Sequence, residues 1–165
     1  MTYSIWLVPT SKDAKLLDGI IKNLAKKYDA PSFSAHVTLF SGITSLNKAK
    51  SLVDLIYSGP INAKKIGVGK SDYLWKTLYI RIRKERNIIT LHQTMQNHTK
   101  TRYVFEPHIS LIYKKLDHIT KKKIKLDLKI KNTYTFDTIA IIKSSKNVKK
   151  WKKLYSVRLN ATRRA

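Results

Sequence analysis

The sequence predicts an α+β fold made of two similar lobes that are related by a pseudo-twofold axis. Two stretches, at 36–40 and 108–112, both read histidine, apolar residue, hydroxyl residue, leucine, apolar residue. They lie 72 positions apart, and a helical pattern at 13–28 recurs at about 86–100, close to the same spacing. Self-similarity of this kind indicates an internal duplication. Equivalent strands of a duplicated fold face one another, so we expect the two histidines to meet in a central cleft.

Length and composition fit one bilobal domain over 1–165, with approximate halves at 1–70 and 71–160 and a frayed tail at 161–165. The hydrophobic content of 42% is enough for a packed core. The chain has no cysteine, which excludes disulfide and thiolate chemistry and suits a reducing compartment. We find no signal peptide and no apolar run of about 18 residues, so we expect a cytoplasmic protein that does not enter a membrane.

Turn residues and β-rich runs delimit the strands. The first strand begins at Tyr3 and stops before Pro9, and loops around Pro31 and Pro107 precede the two histidine strands. Glycines at 67 and 69 mark a hairpin. We predict strands over 3–8, 35–40, 61–68, 74–82, 108–113, 135–143 and 151–159.

Helix predictions rest on caps and apolar stripes. Thr10 and Asp13 form a capping box before the first helix, and Ser45 or Asn47 begins the second. We predict helices over 13–28, from 45 or 47 to 57, over 86–100 and over 117–123. The segment 124–130 alternates, which is compatible with a strand, and stays unassigned.

The front face of each histidine strand carries the candidate chemistry. Since alternate residues of a strand share a face, His36 lies beside Thr38, and His108 lies beside Ser110. Two imidazoles that flank one substrate can act as general base and general acid, because their pKa values lie near neutrality. Such a pair suits in-line displacement at phosphorus. The two hydroxyls can donate hydrogen bonds to the non-bridging phosphate oxygens.

Two other chemistries fit the sequence less well. Two histidines are too few for a zinc site, and Glu106 is the nearest third ligand in sequence, so we expect neither a metal nor another cofactor. A nucleophilic serine or threonine would lack the elbow and the acidic partner of known triads. We interpret His92, His98 and His118 as ordinary surface or packing residues.

The doubled motif, as His36-Val37-Thr38-Leu39 and His108-Ile109-Ser110-Leu111, resembles the 2H phosphoesterase superfamily. The first strand and the second histidine strand are similar to its cyclic phosphodiesterase branch in particular, and the likeness covers nearly the whole chain. The resemblance implies two antiparallel sheets that flank a central cleft, with helices on the outside.

The same resemblance implies a reaction and a site. The reaction is metal-free hydrolysis of a 2′,3′-cyclic nucleotide, or of ADP-ribose 1″,2″-cyclic phosphate, to a phosphomonoester. His36 and His108 would be catalytic, and Thr38 and Ser110 would bind the phosphate. We expect the enzyme to be a monomer.

The branch also places aromatic residues around the nucleoside. By that likeness Trp6, Trp75 and Tyr113 are substrate-binding candidates. Strand alternation turns Trp6 away from the apolar face of its strand, where it either stacks a base or packs in the core. Tyr113 has the opposite parity to His108, so it reaches a ligand only where the strand twists or ends.

The charge is strongly positive, with 34 Lys and Arg against 10 Asp and Glu, a formal net charge of +24. Two interpretations stay open: attraction to RNA, or the codon bias of an AT-rich genome. Either way the field draws in a phosphorylated ligand and makes its binding salt-sensitive. Two alternatives to a cyclic phosphodiesterase therefore remain. One is a 2′,5′-phosphodiesterase or RNA-end-processing enzyme of the same superfamily. The other is a non-catalytic RNA-binding module.

Overall fold

The computed structural model describes residues 1–160, over which the chain forms seven strands and four α-helices. The strands are β1 (Thr2–Pro9), β2 (Val37–Ile43), β3 (Ile61–Lys70), β4 (Leu78–Ile82), β5 (His108–Ile112), β6 (Thr133–Ser144) and β7 (Lys152–Arg158). The helices are α1 (Ser11–Tyr28), α2 (Leu46–Val53), α3 (Arg86–Gln96) and α4 (His118–Asp127). Two short 3-10 turns lie at Leu74–Lys76 and Val148–Lys150.

The strands form one antiparallel sheet in the order β1-β2-β5-β4-β3-β6-β7, and β1 also pairs with β6. The sheet has two halves, β2-β1-β6-β7 and β5-β4-β3-β6, which share the long strand β6. On the other side the halves meet at one residue pair, in which Val37 faces Ile109. The predicted bilobal α+β fold is confirmed, and its two antiparallel layers are joined edge to edge into a single sheet.

The spacing of 72 residues extends from the histidines to the order of the elements. A shift by 72 positions brings α1 over α3, β2 over β5, α2 over α4, and β3 over β6. Val37 and Ile109, which directly follow the two histidines, are Cα partners, so the pseudo-twofold axis passes between them. β3 pairs with β4, whereas β6 pairs with β1. The last strand of each repeat therefore completes the sheet of the other repeat. The division of the chain near residue 70 remains a prediction.

Strand β1 shows how alternation separates the core from the cleft. Ile5 and Leu7 are fully buried in the main core beneath the helices. Each such side chain contributes about 1.5–3 kcal/mol through burial. Trp6 points to the opposite face, where it packs with Ala140 and Ile142 in a separate small cluster. The parity predicted for Trp6 is therefore confirmed.

Half of the predicted capping box at α1 is present, because the hydroxyl of Thr10 accepts a hydrogen bond from the backbone N–H of Asp13. The reciprocal bond is replaced: the backbone N–H of Thr10 donates to the Thr135 carbonyl. The Asp13 carboxylate accepts from Lys131 and from the backbone N–H of Thr135. Burial raises the pKa of Asp13, but the Lys131 ammonium and the Thr135 N–H outweigh it and hold that pKa below its usual value. Asp13 thereby ties the start of α1 to β6.

Two local predictions are wrong, and the structure assigns the segment that the sequence left open. The strand predicted over 74–82 begins at Leu78, because the Ser71 hydroxyl donates to the Lys76 carbonyl and the Thr77 hydroxyl donates to the Leu74 carbonyl. These bonds favour a turn over a ladder, so Trp75 lies on a 3-10 turn. The third helix ends at Gln96. The segment 124–130 is helical up to Asp127 and irregular beyond it, so it forms no strand.

The predicted tail, 161–165, lies outside the described residues. Over residues 1–160, no helix has the length and apolar character needed to cross a membrane.

Candidate active site

A cleft of about 740 Å³ opens between the two halves of the sheet. The side chains of His36 and Thr38 line the cleft at the start of β2, and the side chain of His108 lines it at the start of β5. Strand β1 contributes Trp6 to the same wall, because Trp6 is the Cα partner of Thr38. The structure therefore brings the two predicted catalytic histidines into one cavity.

The two imidazoles are held in the same way. Nδ1 of His36 donates a hydrogen bond to the carbonyl of Ser34 at 2.7 Å. Nδ1 of His108 donates to the carbonyl of Glu106, also at 2.7 Å. In each case the acceptor lies two residues before the histidine. The match is a consequence of the pseudo-twofold symmetry, which repeats the local backbone as well as the side chain.

These hydrogen bonds select the tautomer. A carbonyl oxygen only accepts, so Nδ1 must carry the proton in both neutral rings. Nε2 is then the nitrogen that has a lone pair when the ring is neutral and a proton when it is charged. Each Nε2 can therefore take or give one proton.

His36 is almost completely buried, with 6% of its surface exposed. Its ring lies flat on the indole of Trp6, with 3.4 Å between the ring centroids. The pKa of His36 is lowered to about 4, mainly by burial; the nearby His108 contributes to the lowering, and the hydrogen bond to Ser34 opposes it. His36 is therefore neutral at physiological pH in the free protein.

His108 lies in a more polar setting than His36. Glu106, whose backbone carbonyl accepts the hydrogen bond from His108, also carries a carboxylate close to the imidazole. This carboxylate forms an ion pair with Lys76 at 2.8 Å. The ring of Tyr79 meets the His108 imidazole edge to face. Burial is the main cause that lowers the pKa of His108, and the Lys76 cation adds to it, whereas the Glu106 carbonyl and carboxylate oppose both.

The two predicted phosphate-binding hydroxyls are placed differently. Thr38 lines the cleft. Ser110 is buried, with 4% exposure, and its hydroxyl donates to the backbone carbonyl of Trp75 at 3.0 Å. The symmetry of the sequence motif is thus broken at the hydroxyls, because only the second repeat has the Leu74–Lys76 turn beside it. A phosphate-binding role for Ser110 stays a prediction.

The three predicted aromatic residues all line the cleft. Tyr113 does so because β5 ends at Ile112, which frees the next residue from strand parity. Its ring stacks on Phe33 and meets Trp75 edge to face. Burial raises the pKa of Tyr113 far above its usual value, so its hydroxyl stays protonated. One face of Trp6 is covered by His36, which leaves that face unable to stack a base.

Lys76 and Trp151 are among the cleft residues that the sequence did not predict. Trp151 contacts Trp6, Trp75 and Tyr113, and its indole N–H donates to the carbonyl of Ser145 at 2.7 Å. Both residues lie just outside regular strands, where no periodic pattern marks their direction. A tryptophan next to a lysine-rich turn was the available signal at Trp151.

The cleft also has a hydroxyl-rich end that the sequence did not reveal. The Ser4 hydroxyl bonds to those of Ser41 and Ser144, at 3.0 and 3.2 Å. All three serines line the cleft. They come from three adjacent strands, so only the register of β2, β1 and β6 brings them together.

His92 and His98 have structural settings, and His118 is exposed at the start of α4. His92 is buried between Phe40 and Phe105, and its Nδ1 donates to the carbonyl of Leu39. His98 donates to the carbonyl of Thr94. Across residues 1–160, no three histidine, cysteine or acidic side chains come together as a metal-binding group. Glu106, the candidate third ligand, is paired with Lys76.

Comparison with known protein families is decisive for the class of protein. The sequence model of a family described as cyclic phosphodiesterase-like protein matches residues 1–159. The chain belongs to this family of 2H phosphoesterases. Membership supports an enzyme that hydrolyses phosphodiesters. Comparison with curated protein sequences found no significant match.

Solved structures of the same fold cover nearly the whole chain. E. coli LigT in apo form matches with a TM-score of 0.65 at 16% identity, over 96% of this chain and 97% of LigT. TT0787 of Thermus thermophilus matches with a TM-score of 0.66 at 13% identity, over 99% of this chain and 100% of TT0787. Usb1 of Kluyveromyces marxianus matches with a TM-score of 0.53 at 9% identity, over 96% and 97% of the two chains. At these identities the likeness shows the fold.

Proposed function

We propose that this protein hydrolyses a cyclic phosphodiester, a 2′,3′-cyclic nucleotide or ADP-ribose 1″,2″-cyclic phosphate, to a phosphomonoester without a metal ion. The observation that carries the proposal is the matched pair of Nδ1 hydrogen bonds, of His36 to Ser34 and of His108 to Glu106. They give two imidazoles in one cleft the same tautomer. In each ring Nδ1 bonds to the backbone carbonyl, and Nε2 is the nitrogen that can exchange a proton with the substrate.

His36 is the general base in this proposal. Its pKa of about 4 keeps the ring neutral, so Nε2 offers a lone pair at physiological pH. Nε2 takes a proton from water while the water oxygen forms a bond to phosphorus. The flat contact with Trp6 holds the ring in one orientation, which lowers the entropy cost of the step.

His108 is the general acid. The bond from phosphorus to one ribose oxygen breaks, and that oxygen takes the proton from Nε2 of His108. Burial lowers the pKa of His108 in the free protein. A bound phosphate anion acts in the opposite direction, because a negative charge nearby stabilises the imidazolium. The Glu106 carboxylate, next to the ring, acts in the same direction as the phosphate.

Hydrogen-bond donors stabilise the negative charge that develops on the non-bridging phosphate oxygens. Thr38 and Lys76 both line the cleft and can supply them. Ser110 donates to Trp75 in the free protein, so it reaches a phosphate oxygen only when that hydrogen bond opens.

The rest of a nucleotide fits the aromatic part of the cleft. Trp75, Tyr113 and Trp151 line it together, and bases stack readily on such rings. The structural relative LigT has been crystallised in complex with 3′-AMP, which supports a nucleotide as the ligand class.

The test is ³¹P NMR of the protein with 2′,3′-cyclic AMP. We expect one new phosphomonoester resonance, whose position tells whether the 2′ or the 3′ oxygen keeps the phosphate. His36→Ala and His108→Ala should each abolish turnover while circular dichroism stays native, and EDTA should have no effect. Turnover that EDTA abolishes would contradict the metal-free mechanism. RNA binding without turnover of any cyclic phosphate would favour the binding-module alternative.

A further inference from the structure

Strand β2 contains a bulge directly after Thr38. Trp6 of β1 faces Thr38, whereas its neighbour Ile5 faces Phe40, so Leu39 is the extra residue of β2. A bulge bends the strand that carries it and changes the direction of the side chains that follow. Bulges are frequent beside active sites for this reason. This bulge lies next to a hydroxyl that lines the cleft.

The bulge separates the cleft side of β2 from its core side. In a regular strand Phe40 would share the face of His36 and Thr38. It is instead fully buried in the main core, as Leu39 is. Ser41, the next residue, lines the cleft again. The cleft therefore has room beside the Thr38 hydroxyl because the bulge turns the Phe40 ring away from it.

His92 of α3 holds this bulge through two contacts. Its Nδ1 donates a hydrogen bond to the carbonyl of Leu39 at 2.9 Å. Its ring stacks on Phe40, with 5.6 Å between the centroids and 20° between the planes. On Phe105 it stacks more closely, with 4.6 Å between the centroids and 10° between the planes. The imidazole is therefore fixed by two aromatic rings while it bonds to the bulge.

The hydrogen bond is the part of this arrangement that packing alone does not require. His92 is 8% exposed, and a phenylalanine in its place would stack on the same two rings. Only a donor can satisfy the Leu39 carbonyl, and the imidazole supplies one in the tautomer that carries its proton on Nδ1. A buried polar ring is costly unless it is hydrogen-bonded, so the same bond keeps His92 in the core.

We propose that His92 is a positioning residue for the phosphate site. Through the Leu39 carbonyl it maintains the bulge of β2, and the bulge directs the Thr38 hydroxyl into the cleft. The inference rests on the proposed function, in which Thr38 donates to a non-bridging phosphate oxygen. His92 is not among the residues that line the cleft, so it acts through the strand. A displacement of about 1 Å in a positioned group is enough to lower a rate substantially.

A double-mutant cycle tests this path. His92→Phe keeps a flat ring in the core but removes the donor. We expect it to lower kcat for 2′,3′-cyclic AMP by about 10-fold, a part of what the Thr38 donor contributes. In the Thr38→Val background, which already lacks the hydroxyl, it should change kcat by less than about 2-fold, because residues that act through one another are not additive. An equal loss in both backgrounds, or no loss in either, would overturn the proposal.

His92→Asn separates the hydrogen bond from the packing. The amide N–H of asparagine lies near the position of Nδ1, but the shorter side chain leaves space between the two phenylalanine rings. Its midpoint in urea should therefore fall while most of kcat is kept. A loss of kcat as large as in His92→Phe would reject the role of the hydrogen bond. Should the phenylalanine variant not fold, His92→Leu removes the donor with a smaller apolar side chain and enters the same cycle.

The matched control is Leu91→Ala in the same helix. Leu91 is 3% exposed in the main core, so its truncation leaves a cavity under α3 and lowers the urea midpoint. The donor on His92 stays in place. Thr38→Val should therefore keep its full effect on kcat in this background. A control that abolished the effect of Thr38→Val would assign the disturbance to loosening of α3, against a specific role of His92.

Binding of inorganic phosphate separates this inference from the proposed function, because calorimetry requires no turnover. His92→Phe should weaken phosphate binding by about 5-fold, and by much less in the Thr38→Val background. Such coupling without turnover of any cyclic phosphate would reject the proposed reaction and keep His92 as a positioning residue. Turnover together with additive effects on both kcat and phosphate affinity would reject the positioning role and leave the reaction in place.

Discussion

The imidazole of His36 lies parallel to the indole of Trp6, with their planes within 3° of each other. In the proposed mechanism Trp6 therefore positions the general base, and it does not offer that face to a nucleobase. His36 directly precedes β2, and its Nδ1 bonds to a backbone carbonyl and not to a carboxylate. The contact with Trp6 explains how the imidazole keeps one orientation there. Trp6→Ala should lower kcat by up to about 10²-fold, because a misplaced base costs about that much.

A matched variant separates positioning from stability. Trp6→Phe keeps an aromatic face under His36 and should retain most of kcat. In Trp6→Ala, water reaches the imidazole, so the pKa of His36 measured by NMR should rise from about 4 towards 6.5. An unchanged His36 pKa together with a normal kcat would show that the stacking contact has no role in catalysis.

The dependence of kcat/KM on pH follows from the two histidines. His36 must be neutral, so activity falls as pH drops through its pKa of about 4. His108 must be protonated, and its pKa lies below the usual 6.5, so activity falls as pH rises through that lowered value. The maximum should therefore lie on the acid side of pH 6.5. A maximum above about pH 7.5 would contradict the assigned roles.

Lys76 and Glu106 should move the alkaline limb of that profile in opposite directions. The Lys76 cation lowers the pKa of His108 and the Glu106 carboxylate raises it. Lys76→Met should shift the limb to higher pH, and Glu106→Gln should shift it to lower pH. Stopped assays across the pH range provide the measurement, and a shift of the same sign in both variants would mean that the limb reports another group.

The two hydroxyls should differ in their effect on catalysis. Thr38→Val removes a donor at the cleft and should lower kcat by about 10²-fold, as for an oxyanion donor. Ser110→Ala leaves the Trp75 carbonyl without its hydrogen bond, which should cost about 1 kcal/mol of stability. We expect a smaller loss of kcat for Ser110→Ala than for Thr38→Val. Equal losses would indicate that Ser110 turns towards the phosphate in the substrate complex.

Burial of His36 should also make stability depend on pH. The unfolded chain binds a proton at His36 below about 6.5, whereas the folded protein does so only below about 4. The contribution of His36 to the free energy of unfolding is therefore fully present above pH 6.5. It is lost as the pH falls to 4, by about 3 kcal/mol in total. Urea denaturation at several pH values measures this slope, and His36→Phe should flatten it. A slope unchanged in His36→Phe would assign the effect to other groups.

Much of this arrangement could be predicted from the sequence, because it follows from local rules. The doubled motif indicated the facing histidines, strand parity gave the direction of Trp6, and the cap at Thr10 gave the start of α1. The parity and the cap each rest on residues within a few positions, and the doubled motif rests on a repeat that is visible at a spacing of 72 positions.

What could not be predicted depends on side-chain hydrogen bonds and on register. The turn that carries Trp75 forms because Ser71 and Thr77 bond to its carbonyls, in competition with a strand that the same residues would favour. The Ser110 hydroxyl donates a hydrogen bond to the Trp75 carbonyl in the same turn. The Lys76–Glu106 pair joins positions 30 residues apart, so no local pattern contains it.

The exchange of the last strand between the two repeats has a consequence for synthesis of the chain. Thr2 pairs with Ser144, 142 positions later, so β1 has one open edge until β6 has left the ribosome. Trp6, on which His36 stacks, packs on Ala140 of β6. The proposed catalytic centre therefore assembles only after β6 has been made, and a nascent chain that stops before β6 contains both histidines but not the complete cleft.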